Sequence, residues 1–433
     1  MSTEALQRQQ EAHIHQLLVA YRSLMSQFNL DAIAIYSGHP SAHYADDQLA
    51  NFQAYGHFVH WVPLVDAAHS WLVIHPDARP TLHLHAPADF WHQPTTLPEE
   101  PWVGEFEVVL CNDIQAPQLS QNSAWIGDAA ALEHAGLAVP EGDANPPTLL
   151  LALDELRVIK SNYEISCIRE ANRLAMAGHQ AAHAAFAGAA SELDIQLAYL
   201  AASRQREAYL PYANIIGINE HAGILHYQHY DARTTHQRHS LLVDAGSRFR
   251  GYSADITRTH LGPDAPALFE ALIDALHDLK DQLVEKAKPG QCFIALQEEM
   301  HQALAEILIH HDLYRGSADS AVSEGVTRAF CPHGLGHLLG IQVHDVAGLR
   351  TPAGEPAPAP AGHPALRLTR RLEAGMVITI EPGLYFIPML LAPLRNKSLP
   401  INWILVEQLT PCGGIRIEDN IVITQDGYEN LTP

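Results

Sequence analysis

The 433 residues carry 26 Lys+Arg against 49 Asp+Glu, a formal charge of −23, with 47% hydrophobic and 17% charged residues. Such acidity argues against nucleic acid or an anionic membrane as a main partner, because both need a basic surface. The hydrophobic share is that of a globular chain with a real core, and the length suits two domains.

Residues 3–28 have helical apolar spacing and a polar far side. Short strand-like runs follow: "AIAIYS" (32–37), "WLVIHP" (71–76), "TLHLHA" (81–86), "FEVVLC" (106–111) and "AWIGD" (124–128). Strands alternating with helical or loop segments predict a small α/β domain over 1–150. "LAVPEGDANPP" (137–147) is a Pro/Gly-rich break, read as the domain boundary. A second, mixed α and β domain is expected over 151–433. It opens with helix-rich sequence through residue 186, then a tight hairpin near 243–259. Two helices follow, near 266–287 and 294–312, split by Pro289-Gly290. "TPAGEPAPAPAGHPA" (351–365) reads as a surface loop. "GMVITIEPG" (375–383) and "GIRIEDNIVIT" (414–424) return to strands.

The five cysteines, Cys111, Cys167, Cys292, Cys331 and Cys412, are odd in number, far apart and without a CxxC. They read as free thiols in a reducing compartment. No apolar run approaches a membrane span, and the N-terminus lacks an apolar signal core, so a cytoplasmic location is expected.

The chemistry begins at "VDAGSRFRGYSADITRT" (243–259), where Asp244 and Asp255 interrupt β-type residues. A turn centred between Phe249 and Arg250 would set the two acids directly opposite, with Cβ atoms about 4.5–5.5 Å apart, an arrangement that like charges destabilise. Glu381 ends the apolar run "MVITI" before Pro382-Gly383. In "GIRIEDNIVIT", read as one strand, Ile415 and Ile417 face one way and Arg416 and Glu418 the other. Four acids on strands rich in Ile, Val and Leu are untenable together unless cations lie between them. "CPHGLGH" (331–337) adds His333 and His337 as candidate nitrogen ligands. Gly334 and Gly336 argue against a helical zinc motif there. An oxygen-rich set with one imidazole suits Mn²⁺ or a similar ion, and two ions sharing carboxylates would use all four acids. Taken singly, each residue has an ordinary explanation as a turn, cap or surface group. The joint pattern carries the metal reading.

These residues lie in stretches that resemble the pita-bread metallopeptidases, and within them the bacterial-type prolidases, which cleave Xaa-Pro dipeptides. The stretches are "ELRVIKSNYEISCIREA" (155–171), "NEHAGILHY" (219–227), the hairpin, "PHGLGHLLGIQVHDVAG" (332–348), "TRRLEAGMVITIEPGLYF" (369–386) and "GIRIEDNIVIT". The resemblance implies an α/β N-terminal domain before an α+β pita-bread (creatinase/aminopeptidase-like) catalytic domain. It implies two divalent ions, most often Mn²⁺, held by Asp244, Asp255, His337, Glu381 and Glu418, with Asp255 bridging. Glu381 would also shuttle the proton. His226 and His344 would contact the substrate and the tetrahedral intermediate. Arg370 would receive the dipeptide carboxylate, although the adjacent Arg371 leaves that position open by one residue. His333, Tyr385 and Arg416 would complete the substrate site.

The reaction implied is attack on the carbonyl before proline by a hydroxide shared between the ions. Organophosphate triesters or fluoridates would be side substrates. Cleavage of longer Xaa-Pro peptides, as by aminopeptidase P, and a catalytically silent binding protein are the alternatives. A homodimer is expected too, with "HYADDQ" (43–48) and "HWVP" (60–63) as candidate segments reaching the partner's site.

Overall fold

A computed structural model of the chain describes residues 3–91, 93, 95–134 and 143–433. It divides into two compact units, Met1–Cys167 and Ile168–Pro433, and the division falls within the helix Asn162–Ala187. Of the break expected at 137–147, residues 137–142 lie outside the described residues.

In the first unit the helix Thr3–Phe28 buries Gln10, His13, Ile14, Leu17, Tyr21 and Met25, a stripe at helical spacing. Five strands form one sheet: β1 (Ala32–Tyr36), β2 (Trp71–Ile74), β3 (Thr81–His85), β4 (Glu107–Cys111) and β5 (Ser123–Ile126), in the order β4-β3-β2-β1-β5. β1 runs parallel to β5 and β3 parallel to β4, whereas β1–β2 and β2–β3 are antiparallel. β1 and β2 are buried along their whole length, which explains their unbroken apolar sequences, and the edge strand β4 is largely exposed. Of the two segments expected to reach a partner, 43–48 is exposed. The other is not: His60, Trp61 and Val62 are buried, with the Trp61 ring edge-on to Tyr21 at 5.0 Å. Its apolar residues serve this unit's own core.

The second unit contributes ten strands. They are β6 (Ile215–Ile218), β7 (Ser240–Asp244), β8 (Arg248–Phe249), β9 (Tyr252–Ser253), β10 (Thr257–Leu261), β11 (Val377–Ile380), β12 (Gly383–Tyr385), β13 (Gly414–Arg416), β14 (Asp419–Ile423) and β15 (Tyr428–Asn430). The helix Glu192–Ser203 opens on a capping box between Ser191 and Asp194. Its Ile195 and Tyr199, with Ala182 and Phe186 of the preceding helix, pack on Ile216, Ile218, Leu241 and Val243 of β6 and β7. Each large apolar side chain buried this way contributes roughly 1.5–3 kcal/mol. Helices Ala267–Lys286 and Phe293–His310 match the expected pair.

Two expectations about the strands are corrected. The hairpin register pairs Asp244 with Thr257, not with Asp255, and Phe249 with Tyr252. The cause is the turn: Arg250 (φ 51°) and Gly251 (φ 89°) both occupy the left-handed region, so they form the two-residue loop themselves. The centre lies one residue later than expected, and the pairing slips by two. "GIRIEDNIVIT" is also not one strand. β13 pairs with β12, and β14 with β11 and β15, with Ile417 and Glu418 between them.

Candidate metal centre

Asp244 closes β7, whereas Asp255 lies between β9 and β10. The Asp255 backbone is pinned to β14: its N–H donates to Asn420 Oδ1 at 3.0 Å, and Asn420 Nδ2 donates to its carbonyl. This crossing restores the proximity that direct pairing does not provide. The Tyr212 hydroxyl lies 2.7 Å from Asp244 Oδ1 and 2.5 Å from Asp255 Oδ1, so one phenolic proton stands between two carboxylates.

Glu381 and Glu418 come from the other ladder. Ile380 pairs with Asp419 and Gly383 with Arg416, a register that sets Glu381 opposite Glu418. Thr257 Oγ1 donates to Glu418 Oε2 at 2.6 Å, and Thr379 Oγ1 to Glu381 Oε1 at 3.3 Å. His337 lies beside β11, where the Thr379 N–H donates to its carbonyl at 3.0 Å. A side chain at Gly336 would collide with the Thr379 carbonyl, which explains the glycine before His337. His337 Nδ1 donates to the Leu338 carbonyl at 3.0 Å, which leaves the Nε2 lone pair directed inward. That Nε2 is 3.3 Å from Asp255 Oδ2 and 3.6 Å from Glu381 Oε1. Ligand atoms of Asp255, His337 and Glu418 lie within 4.8 Å of one another.

The electrostatics of this cluster are strained without a cation. Burial pushes Glu418 well above the usual carboxylate range, and Asp255, Glu381 and Asp244 push the same way. Burial raises Glu381 to about 7 despite the neighbouring His337. Asp244 is raised by burial, with Arg416 opposing. For Asp255 burial works upward too, but His337 and Tyr212 outweigh it and hold the carboxyl low. A buried set that must hold protons to limit its own repulsion is one that divalent cations would occupy in place of protons. The oxygen-rich donors, with one imidazole whose tautomer is fixed, fit such ions.

The supporting residues form a chain. Arg416 Nη2 reaches Asp244 Oδ2 at 2.5 Å, and its Nη1 donates to the Tyr385 hydroxyl at 2.6 Å. Tyr385 lies 2.9 Å from His333 Nε2, and His333 Nδ1 donates to the Gly334 carbonyl at 2.8 Å. Burial, with Arg416 adding to it, lowers His333 to about 4, so it is a neutral acceptor here.

His344 stands edge-on to His337, ring centroids 4.4 Å apart. Loss of solvent, then His337, lowers its pKa to about 4, with Arg367 and His226 contributing. His226 and Arg367 are thus among the groups whose charge acts on His344. Arg370 donates to the Ala347 carbonyl at 3.4 Å and lines a cavity of about 700 Å³ with Arg350 and Arg371. None of the five candidate ligands lines that cavity. Tyr212 and Arg367 are not among the sequence candidates. Arg367 lies in the same basic run as Arg370, and its charge acts on His344. Nothing in the spacing of Tyr212 marks it.

Residues 166–425 match Metallopeptidase family M24, and residues 8–154 match the "Xaa-Pro dipeptidase, N-terminal domain" family. An Xaa-Pro dipeptidase of Marinobacter nauticus is 48% identical over 428 residues, covering 98% of this chain and 97% of the relative. One from Proteus mirabilis is 40% identical over 432 residues, covering 98% and 97%. A variant of Escherichia coli aminopeptidase P in complex with substrate superposes with a TM-score of 0.74 at 22% identity, over 98% of this chain and 94% of its own. Proline aminopeptidase P II of Yersinia pestis superposes with a TM-score of 0.71 at 22% identity, over 100% and 96%. These two structures share the two-domain fold. Among the described residues, no helix is long and apolar enough to cross a membrane.

Proposed function

The chain belongs to metallopeptidase family M24, in its prolidase branch, and from that premise we propose that it hydrolyses Xaa-Pro dipeptides at the centre built by Asp244, Asp255, His337, Glu381 and Glu418. The observation that carries this reading is the convergence of three buried acids and the half-buried Glu381 around one inward-facing imidazole. Those five residues would hold two divalent ions, and manganese is proposed from the hardness of the donors. The pair would supply a water of lowered pKa and polarise the scissile carbonyl.

The chain's own groups do the rest. Glu381 takes the proton of the attacking water and hands it to the leaving proline nitrogen, which has no N–H of its own in the substrate. His344 and His226 orient the carbonyl and donate to the oxygen on which charge develops. Arg367, whose charge acts on His344, is the cation proposed for the dipeptide's free carboxylate in preference to Arg370, which lines a cavity that none of the five ligands lines. The Arg416–Tyr385–His333 chain holds Asp244 in its orientation. A homodimer in the cytoplasm belongs to the same proposal, with the exposed 43–48 segment as the candidate contact.

The test is a substrate panel after chelation and readdition of Mn²⁺, Co²⁺ or Zn²⁺. An Xaa-Pro dipeptide should be cleaved in preference to an Xaa-Pro-Yaa tripeptide, and the reverse preference would assign aminopeptidase P activity. An organophosphate triester in the same panel tests whether the centre also acts at phosphorus. No metal-dependent hydrolysis of any of the three would overturn the reading.

A further inference from the structure

Among the described residues, one other set of ligating side chains comes together: His13, His60 and Glu164, with ligand atoms within 4.8 Å of one another, all buried and all in the first compact unit. We propose that this unit binds one further divalent ion, of the zinc class, at His13 Nδ1, His60 Nε2 and the Glu164 carboxylate. It is separate from the catalytic centre in sequence and in ligand type.

Each ligand is held from outside. Glu164 is fixed by a capping box: the Ser161 N–H donates to its Oε2 at 2.8 Å, and its own N–H donates to Ser161 Oγ at 3.4 Å. The other oxygen, Oε1, faces His60 Nε2 at 3.3 Å. His13 Nε2 donates to the His60 carbonyl at 2.8 Å, so its Nδ1 carries the lone pair, 3.8 Å from Glu164 Oε2, and accepts from Ser161 Oγ at 2.9 Å, a bond that the ion would replace. A ligand imidazole with its far N–H on a carbonyl is the arrangement that fixes the metal-binding tautomer.

His60 supplies the independent observation. It is 1% exposed, and neither ring nitrogen makes a hydrogen bond. Buried polar atoms are nearly always partnered. An ion at Nε2 would give that nitrogen its partner. Bonds of about 2.0–2.2 Å in tetrahedral geometry put two ligand atoms roughly 3.4 Å apart, against 3.3 Å and 3.8 Å here. Two imidazoles and one carboxylate favour zinc over a harder ion.

The protonation states agree with a ligand role. Burial lowers His60, and lowers His13 to about 4, which favours the neutral ring that a metal needs, while Glu164 pulls both the other way. Burial opposes ionisation of Glu164, but His60, His13 and Lys160 outweigh it and keep the carboxylate charged. The Lys160 Nζ donates to the Arg157 carbonyl at 2.5 Å, and its charge, which acts on Glu164, would limit the affinity. A cavity of about 330 Å³, lined by His13 and Ser161 with Arg8, Gln9 and Asn162, adjoins the set. A water would supply the fourth ligand. The ion would tie together a helix, the segment at His60 and the start of a second helix.

Metal titration of the chelated full-length chain with Zn²⁺ or Co²⁺ tests this, with bound metal counted by mass spectrometry. Glu164→Gln keeps the capping box, because Gln serves at that position as Glu does. It should bind one equivalent less per chain than the parent, lose part of the metal-induced rise in Tm, and keep its Xaa-Pro dipeptidase activity. His60→Gln should lose the same equivalent, and its count decides if Glu164→Gln fails to fold. Equal metal content in the parent and in a folded variant overturns the proposal.

Discussion

Glu381 and Glu418 lie opposite one another where the ladder is interrupted, Ile380 against Asp419 on one side and Gly383 against Arg416 on the other. Pro382 has no N–H to donate, so the interruption is built into the sequence. The Ile417 N–H still reaches the Pro382 carbonyl at 3.3 Å, which keeps the register through the break. The opposed acids that the hairpin was expected to supply are thus supplied by the second ladder. The aspartates meet diagonally, around Tyr212.

Glu381→Gln removes the proton carrier and keeps the volume. The turnover of an Xaa-Pro dipeptide should fall about 10²–10⁴-fold, the range of general acid–base catalysis. Steady-state kinetics on samples of known metal content measures it, and turnover like the parent's would end the assignment of Glu381 as shuttle.

Arg416→Met leaves Asp244 without its buried cation and Tyr385 without a donor. Removing one partner of a buried pair costs about 3–5 kcal/mol. Urea unfolding of the metal-free protein should show that loss. Lys should not rescue it, because Asp244 and Tyr385 need two separate N–H groups from one planar fork.

Measured against Glu381→Gln, the metal-free protein should lose stability as pH rises toward neutrality. Glu381 is raised by burial from 4.5 to about 7 in the folded chain, so the folded state holds a proton that the unfolded state has released. Its stabilising contribution is present below about pH 4.5 and disappears as pH passes 7. Differential scanning calorimetry without metal should find the parent's stability relative to Glu381→Gln falling over this range. Identical slopes in the two proteins would contradict it.

Acid acts in the opposite direction through buried imidazoles. Burial lowers His179, His260 and His301 to about 3, so they stay neutral in the folded chain while unfolded histidine protonates near 6.5. Stability is complete above 6.5 and falls as pH drops from there toward 3, with each histidine adding about 1.4 kcal/mol per pH unit. Chemical denaturation of the protein between pH 7 and 5 should give this slope. His301→Gln should reduce it by one histidine's share.

Arg367→Ala should raise KM for an Xaa-Pro dipeptide with little change for a dipeptide amide, which has no terminal carboxylate. Arg370→Ala should raise neither selectively, since its guanidinium lies on the Ala347 carbonyl in a separate cavity. A selective KM effect in Arg370→Ala alone would reverse the assignment.

Period and punctuation in the sequence were enough to locate the helix Thr3–Phe28, β1 to β5 and the helix pair after the hairpin. Acids stranded among Ile and Val marked the metal centre, because a buried charge is too costly to be incidental. The sequence did not set the pairings. Register depends on where a turn closes, and here an arginine occupies a left-handed position that Asn or Gly would have advertised. Nor did it give Tyr212, Arg367 or the pairing of His13 and His60 with Glu164. Their roles come from distances between segments remote in the chain, which local patterning does not encode. Composition and spacing by themselves determined which chemistry the chain had to accommodate, and only the tertiary structure decided which atoms meet to perform it.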